Sequence, residues 1–254
     1  VLTVTHNGYI KRTNINTYRS QRRGGRGVQG AGGREEDFVE HLFTATNHSY
    51  ILFFTDQGKC HWVKVYDIPE GGRAAKGRAI VNLIQCEPDE KVNAFIAVKD
   101  FSEDHYVVMA TEKGIVKKTV LSAYSHPRKK GIYAVEIREG DKLIEARVST
   151  GENDILLGTR NGKSIRFSEQ QIRPSGRKTM GVKGITLSSK DDKVVGMLLI
   201  KREGTTVLVA TEKGFGKRTE ISQYRPQKRG GKGVLTMRTT EKVGKMVTIK
   251  EAID

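Results

Sequence analysis

The segment Val107-Val-Met-Ala-Thr-Glu-Lys-Gly-Ile-Val-Lys-Lys-Thr119 has the pattern of two short strands joined by a tight turn. Its first half is apolar and rich in β-favouring residues but too short for a core helix, which indicates a strand buried on both faces. Lys113-Gly114 supplies the glycine of a hairpin turn. The second half alternates, which indicates a strand with one face toward water. We therefore predict a β-hairpin over 107–119.

The same pattern occurs five times along the chain. The other copies cover 1–13, 51–63, 155–167 and 207–219, and each has an apolar run, a threonine, two further residues and a glycine. Asn7-Gly8 and Asn161-Gly162 are dipeptides that favour type I′ turns. The turn glycines recur about every 50 residues, a period typical of propeller blades.

Further strands are predicted between the hairpins, and no segment has the pattern of a helix longer than two turns. These strands are Phe38 to Thr46, Val92 to Val98, Leu143 to Val148 and Val194 to Ile200. Repeats of this length with some four strands each predict an all-β fold whose blades are arranged about an axis.

Charge makes a polyanion the expected partner. The 254 residues carry a formal net charge of +16, which favours nucleic acid first and an acidic membrane surface second. The longest apolar run, Val194 to Ile200, is far below the ~20 residues of a membrane span, so no membrane role is expected. Cys60 and Cys86 have neither disulfide-framework nor zinc-site spacing, and we expect no metal. The chain opens without methionine or a leader, which we read as a fragment of a longer protein in a reducing, cytoplasmic compartment.

Each hairpin is followed by a loop that contains basic residues and glycine. Ten residues beyond every turn glycine lies an aromatic residue or isoleucine, which indicates a loop packed against the protein. These anchors are Tyr18, Ile68, Tyr124, Ile172 and Tyr224. The loop cations expected to contact the anion in repeats two to four are Arg73, Lys76, Arg78, Arg128, Lys129, Lys130, Arg177, Lys178 and Lys183.

Basic residues also recur three and four positions beyond the turn glycine. They are Lys11, Arg12, Lys117, Lys118, Lys217 and Arg218. We expect them to face water and to form one continuous rim track with the loop cations; the alternative is a set of solvated charged faces without a ligand. Charge reversal of Lys117 and Lys118 should then weaken anion binding and leave stability unchanged.

One loop has a denser set of donors than the others. Gln21-Arg22-Arg23-Gly24-Gly25-Arg26-Gly27 combines bidentate arginines with glycines that permit close backbone approach, a combination that suits phosphate. Gln227-Lys228-Arg229-Gly230-Gly231-Lys232-Gly233 repeats it with lysine at two positions. The alternative, a flexible RGG-type segment, does not explain why the order recurs.

The heptapeptide at 21–27, within five such repeats, resembles the gyrase A box of the C-terminal DNA-wrapping domain of bacterial DNA gyrase A subunits. The resemblance covers the whole chain. It implies one β-pinwheel domain over 1–254, with strands exchanged between neighbouring blades, five repeats and the start of a sixth at Val243 to Ile249. It assigns the box role to Gln21, Arg22, Arg23, Gly24, Gly25, Arg26 and Gly27. The copy, with Lys228, Arg229 and Lys232, is expected to be an ordinary rim loop.

The function implied by the resemblance is binding and wrapping of duplex DNA around a basic rim, with little sequence preference. The domain would be a non-catalytic, cofactor-free part of an ATP-dependent type II topoisomerase, monomeric when isolated. Its partners would be duplex DNA and, in a heterotetramer in the cytoplasm at the nucleoid, the gyrase B subunit together with the rest of the gyrase A subunit. The cleavage tyrosine of that family belongs to another part of the enzyme, so the tyrosine anchors are packing residues.

Three other functions are weighed against this one. The C-terminal domain of the topoisomerase IV A subunit is the nearest alternative, although its box is usually degraded. A protein-interaction propeller predicts a rim of mixed sign. An enzyme would need clustered acids, bases or a nucleophile, and the repeated positions contain glycine, cations and apolar residues instead. The GxGxxG match at 25–30 lacks a following helix, and the P-loop-like 158–164 fits a hairpin turn better.

Overall fold

The structure, a computed structural model, describes residues 1–18, 23–24, 37–201 and 204–252. Its helical segments are single 3₁₀ turns, and the other regular elements are strands. In chain order the strands are β1 Leu2–Thr5, β2 Tyr9–Arg12, β3 Val39–Phe43, β4 Tyr50–Thr55, β5 Lys59–Lys64, β6 Arg78–Ala79, β7 Val92–Val98, β8 Tyr106–Thr111, β9 Ile115–Val120, β10 Ile132–Tyr133, β11 Leu143–Ser149, β12 Asp154–Thr159, β13 Lys163–Ser168, β14 Val182–Lys183, β15 Val194–Ile200, β16 Thr206–Thr211, β17 Gly216–Glu220, β18 Val234–Leu235 and β19 Met246–Ala252. The 3₁₀ turns are Ile15–Thr17, Val65–Asp67, Ile80–Asn82, Leu121–Tyr124, Glu169–Gln171 and Ile221–Gln223.

The strands form five small antiparallel sheets arranged in a ring. Their orders are β3-β1-β2-β6, β10-β5-β4-β7, β11-β8-β9-β14, β15-β12-β13-β18 and β17-β16-β19. The third strand of each repeat lies nearest the axis, since β7, β11, β15 and β19 contact one another in succession. Strands from all five repeats line an axial cavity of about 450 Å³. The predicted hairpins, the third strands and the all-β propeller-like fold are confirmed.

Four of the blades are completed by the following repeat. β6 comes after the second hairpin yet pairs with β2 of the first, with Ile10 opposite Arg78. β10, β14 and β18 pair in the same way with β5, β9 and β13. The exchange of strands between neighbouring blades is therefore confirmed, and it places each connecting loop at the outer edge of the preceding blade.

The start of a sixth blade at Val243 to Ile249 is wrong. β19 covers most of this segment, and it pairs with β16 as β15 pairs with β12. Leu208 lies opposite Lys250 in that ladder. The strand therefore completes the inner side of the fifth blade, which has three strands among the described residues.

The hairpin turns differ from the predicted type I′. Within the described ranges only glycines have positive φ, so Asn7 and Asn161 do not adopt the left-handed conformation that a type I′ turn needs at both central residues. Instead the amide of Gly8 (φ 77°) donates to the carbonyl of Thr5 at 2.9 Å, and glycine takes the left-handed position after the turn. The threonine hydroxyl accepts the next strand's amide, as Thr111 does from Ile115 at 3.2 Å. The glycine and the threonine of the repeat thus have separate roles.

The core lies between neighbouring blades. One apolar cluster joins Leu52 and Phe54 of the second repeat to Val107 and Tyr124 of the third, with the Phe54 and Tyr124 rings 5.8 Å apart. The predicted anchors are buried in four repeats, and Tyr18 in the first is half-buried. Each anchor packs the start of a connecting loop against this inter-blade core.

Candidate nucleic-acid interface

The cations of the connecting loops are displayed at the outer edge of the ring. The exposed members are Lys76, Arg78, Arg128, Lys129, Lys130, Lys178, Lys183, Lys228 and Lys232. Arg73, Arg177 and Arg229 are half-buried. Each loop runs from its anchor to a two-residue strand on the preceding blade, so its basic residues are held against a folded surface. The structure therefore places the predicted loop cations near the outer edges of successive blades.

The expectation that Lys11, Lys117 and Lys118 face water is wrong. Lys117 is 1% exposed, and its Nζ donates to the carbonyl oxygens of Ala134 and Arg177 at 2.5 and 2.6 Å. The alternating sequence pattern predicts that one face of the second strand is open to water. In the structure, the loop of the next repeat covers that face. Charge reversal here would bury a carboxylate among carbonyl oxygens, so we now expect it to lower stability.

Lys11 has the same role one boundary earlier. Its Nζ donates to the carbonyl oxygens of Gly72, Arg73 and Ala75, the first and last at 3.0 and 2.8 Å. It therefore holds the basic loop of the second repeat.

The residue three positions beyond the turn glycine packs against the connecting loop of the next repeat. We call a buried lysine at this position a seated lysine. In the second repeat it is His61, and a Cβ built on Gly131 would lie 2.7 Å from the His61 ring. In the fourth it is Ile165, whose Cδ1 would lie 3.5 Å from a Cβ on Gly231. Histidine and isoleucine at a position otherwise occupied by lysine were the sequence signal for a packed site.

In the first, third and fourth repeats, the residue four positions beyond the turn glycine donates hydrogen bonds to carbonyls at or next to the 3₁₀ turn of the following repeat. Arg12 Nε donates to the carbonyl of Ile68 at 3.1 Å, and Lys118 Nζ donates to that of Glu169 at 3.0 Å. Arg166 Nη1 donates to the carbonyl of Ile221 at 3.3 Å. Lys118 also lies 3.7 Å from the buried Glu169 carboxylate. These cations fasten successive repeats together, whereas Lys217 and Arg218 are exposed in the fifth repeat.

Burial changes the acidity of the seated lysines. Desolvation lowers the pKa of Lys117 to about 7, and the nearby Arg177 guanidinium adds to the effect. Desolvation also lowers the pKa of Lys11. Removing an ammonium from water disfavours its charged form. The seated lysines are thus electrostatically unlike the exposed loop cations.

Most of the 21–27 heptapeptide lies outside the described residues. Gln21, Arg22, Gly25, Arg26 and Gly27 belong to that part. Arg23 and Gly24 are exposed, and Gly24 has φ 87°, close to the 83° of Gly230 in the second copy.

Other chemistry is sparse in the described part of the chain. There, no group of three or more His, Cys, Asp or Glu side chains could hold a metal ion. Cys60 is free and buried, and desolvation raises the pKa of its thiol. The 158–164 segment forms part of the β12–β13 hairpin, as predicted. None of the described helical segments is long and apolar enough to cross a bilayer.

Comparison with known proteins agrees with the repeat boundaries. The family model described as DNA gyrase C-terminal domain, beta-propeller, matches residues 1–46, 49–99, 105–150, 153–201 and 205–251. The chain belongs to the DNA gyrase C-terminal domain family. The five matched segments of this gyrase C-terminal domain coincide with its five repeats.

Relatives show how much of a longer protein this gyrase C-terminal domain corresponds to. The DNA gyrase A subunit of Staphylococcus epidermidis is 49% identical over 251 residues, which are 98% of the chain and 28% of the relative. That of Clostridium acetobutylicum is 49% identical over 254 residues, which are 100% of the chain and 30% of the relative. A crystal structure of the C-terminal domain of DNA topoisomerase IV superposes with a TM-score of 0.81 at 27% identity, covering 100% of this chain and 77% of that one. The chain spans less than a third of the curated relatives it matches.

Proposed function

We propose that this domain binds duplex DNA with little sequence preference and wraps it around the basic rim. The observation that carries the proposal is the recurrence of exposed cations, repeat after repeat, on loops fastened to the outer edge of the ring. Cations held at intervals on a curved surface suit a regularly spaced phosphate backbone. Contacts to phosphate position DNA without reading its bases, so sequence preference is expected to be weak.

Wrapping needs many such contacts. Smooth bending of 20–30 base pairs by 40–90° costs on the order of 1–6 kcal/mol, and a longer arc costs more. Several loops in succession can offset this cost together, because each repeat adds its own cations. Fixed loops also lose less conformational entropy on binding than free ones. The fastening by Lys11 and Lys117 supports the proposal in this respect.

We further propose that the heptapeptide at 21–27 is the strongest phosphate-binding element and converts binding into wrapping. Its arginines can each bind a phosphate bidentately, and its glycines let backbone amides approach. The support is the composition of the loop and its match to the box of the family. The remaining exposed loop cations would extend the path along the rim.

The proposed setting is a type II topoisomerase. The relatives are DNA gyrase A subunits, and this chain matches under a third of their length. The domain, folded as one unit over 1–254, would act without its own catalytic site or cofactor. It would serve an ATP-dependent enzyme at the nucleoid, made with the remainder of the gyrase A chain and with the gyrase B chain. Isolated, it would be a monomer.

A fluorescence titration with duplex DNA at several salt concentrations tests the proposal. If about 8 phosphates are neutralised, the slope of log K against log salt is expected to be near −7. A slope shallower than about −2 would leave too few contacts for wrapping and would contradict the proposal. Duplexes of unrelated sequence should give the same affinity.

The topoisomerase IV role is the second candidate, favoured by the likeness to a topoisomerase IV C-terminal domain. The two roles differ in the product of the assembled enzyme. Introduction of negative supercoils into relaxed DNA would support the gyrase role, and relaxation or decatenation without it would support the other.

A further inference from the structure

We infer that Arg229 is a positioning residue that fastens the heptapeptide loop 227–233 to the fourth repeat and thereby holds Lys228 and Lys232 toward DNA phosphates. The inference rests on the proposed function, and it assigns different roles to the three cations of this loop. It concerns the second copy of the heptapeptide, where every residue is described.

Arg229 is committed to protein oxygens. Its backbone amide donates to Gln171 Oε1 at 2.8 Å, its Nε to the Gln171 carbonyl at 3.1 Å, and its Nη1 to the Lys183 carbonyl at 2.6 Å. Gln171 ends the 3₁₀ turn of the fourth repeat, and Lys183 ends β14. Because Nε already donates to a carbonyl, Arg229 cannot offer its Nε–Nη2 fork to a phosphate, and Nη1 is also held by the protein.

The loop backbone is tied down beside Arg229. The amide of Gly230 donates to the carbonyl of Gly184 at 2.8 Å. Thr186 donates its amide to the carbonyl of Gly231 at 2.9 Å and its hydroxyl to that of Gly230 at 2.7 Å. The loop is therefore held by the fourth repeat, which Arg229 contacts at both Gln171 and Lys183.

Lys228 and Lys232 flank the fastened segment on either side. Both are exposed, and within the described part of the chain neither ammonium has a hydrogen bond or an ion pair. Unpaired cations on a fixed loop suit phosphate contacts, because their positions are set before DNA arrives.

The same arrangement recurs one repeat earlier. Arg177 has the place in its repeat that Arg229 has in the fifth, fifteen residues beyond the turn glycine. Its Nη1 donates to the carbonyl of Tyr133 at 3.2 Å, and Tyr133 ends β10 as Lys183 ends β14. Lys178 beside it is exposed and lies 5.3 Å from the centre of the Tyr133 ring. In both repeats a half-buried arginine binds the exchanged strand, and an adjacent lysine is exposed.

Mutant cycles on this chain test the inference by titration with duplex DNA. The variants are Arg229→Ala and Arg229→Lys, each made in the native chain and in a Lys228→Ala/Lys232→Ala background. Lys190→Ala, at an exposed lysine outside the connecting loops, is the matched control for loss of one charge. Gln171→Ala removes an acceptor of the Arg229 amide without changing any charge, and it serves if an Arg229 variant fails to fold.

The paired lysine variant should reduce the salt slope by about 1.8, as expected for two lost phosphate contacts. Arg229→Ala, Arg229→Lys and Gln171→Ala should each weaken DNA binding in the native chain and have no further effect once both lysines are absent. Arg229→Lys keeps the charge but cannot reach both carbonyls, so it should behave as the alanine variant does. Lys190→Ala should bind nearly as the native chain does.

Three results would overturn the inference. Native affinity in Arg229→Lys would mean that the residue contributes only charge. A further loss in the lysine-free background would mean that Arg229 contacts DNA directly. No loss in any Arg229 or Gln171 variant would leave the loop without a positioning residue. A native chain with a shallow salt slope would instead contradict the proposed function itself, so the two failures are distinguishable.

Discussion

The ammonium nitrogen of Lys117 lies 2.6 Å from the carbonyl oxygen of Arg177, so a buried cation of the third repeat holds the basic loop of the fourth. A lysine whose sequence position suggests a surface cation thereby supports the loop that carries the proposed DNA-binding cations. Buried lysines that support a loop and exposed lysines thus occur at equivalent positions of the repeat, as Lys117 and Lys217 show. The burial of Lys117 also makes the stability of the domain sensitive to pH.

Stability should rise with pH through the titration of Lys117. The folded state releases the proton near pH 7, whereas the unfolded chain retains it to about 10.5, so unfolding takes up a proton between these values. The free energy of unfolding of the native chain, relative to Lys117→Met, should therefore increase between pH 7 and 10.5 by up to about 1.4 kcal/mol per pH unit. Urea unfolding at several pH values measures it. Lys217→Met, at the exposed equivalent position, should show no such trend; a pH-independent difference for Lys117→Met would contradict the prediction.

Charge reversal should distinguish seated from exposed lysines. Lys117→Glu buries a carboxylate among carbonyl oxygens, and we expect it to destabilise the domain by more than about 3 kcal/mol. Lys178→Glu changes an exposed residue and should alter stability by less than about 0.5 kcal/mol while weakening DNA binding. Thermal unfolding and DNA titration of both variants check this. Equal stability of the two variants would mean that Lys117 behaves as an exposed lysine.

The turn glycines should differ in their tolerance of alanine. Gly8 and Gly162 both have positive φ, but a Cβ on Gly8 meets nothing within 4 Å, whereas one on Gly162 would lie 2.0 Å from the Met237 carbonyl oxygen. Gly8→Ala should cost only the backbone strain of about 1–2 kcal/mol. Gly162→Ala should cost clearly more, because the following repeat must also move. Chemical denaturation compares them, and similar losses would show that the contact with Met237 yields easily.

Replacement of 21–27 by alanine should separate binding from wrapping. The other loops retain their cations, so affinity for a short duplex should fall only modestly. The arc of bound DNA should shorten, because its bending energy is no longer offset at one end. In the assembled enzyme, cleavage and relaxation should persist and negative supercoiling should be lost. A box-alanine enzyme that supercoils at the native rate would remove the proposed role of this loop.

The hairpins and the inner strands could be predicted from sequence because strands of four to seven residues, rich in β-favouring residues, recur in register. The burial of Lys117 could not. Strand alternation describes one sheet, and the covering layer comes from another repeat through a two-residue strand such as Ile132–Tyr133, which is too short for any pattern. Strand exchange was accordingly implied by family resemblance and not by periodicity.

The site was predictable in part for the same reason. Exposed loop lysines such as Lys178 and Lys228 follow from charge and glycine content. The commitment of Arg229 to the Lys183 carbonyl depends on where β14 of the preceding repeat ends in space, which no local window of sequence contains. The error at Val243 to Ile249 arose from counting a strand forward into a new blade, although the register of β19 assigns it to the one before.

The exchanged strands also decide what a deletion would do. Because β18 belongs in sequence to the fifth repeat and in space to the fourth blade, ending the chain after residue 201 would remove one blade and strip the edge from another. The exposed edge of β13 would then be a template for pairing with a second molecule. A lineage that gained or lost repeats would therefore keep the edge of every remaining blade paired only if the cut fell at the same point of the sequence pattern each time. One repeat of the sequence is what would be gained or lost, whereas one four-stranded blade combines three strands of a repeat with one strand of the next.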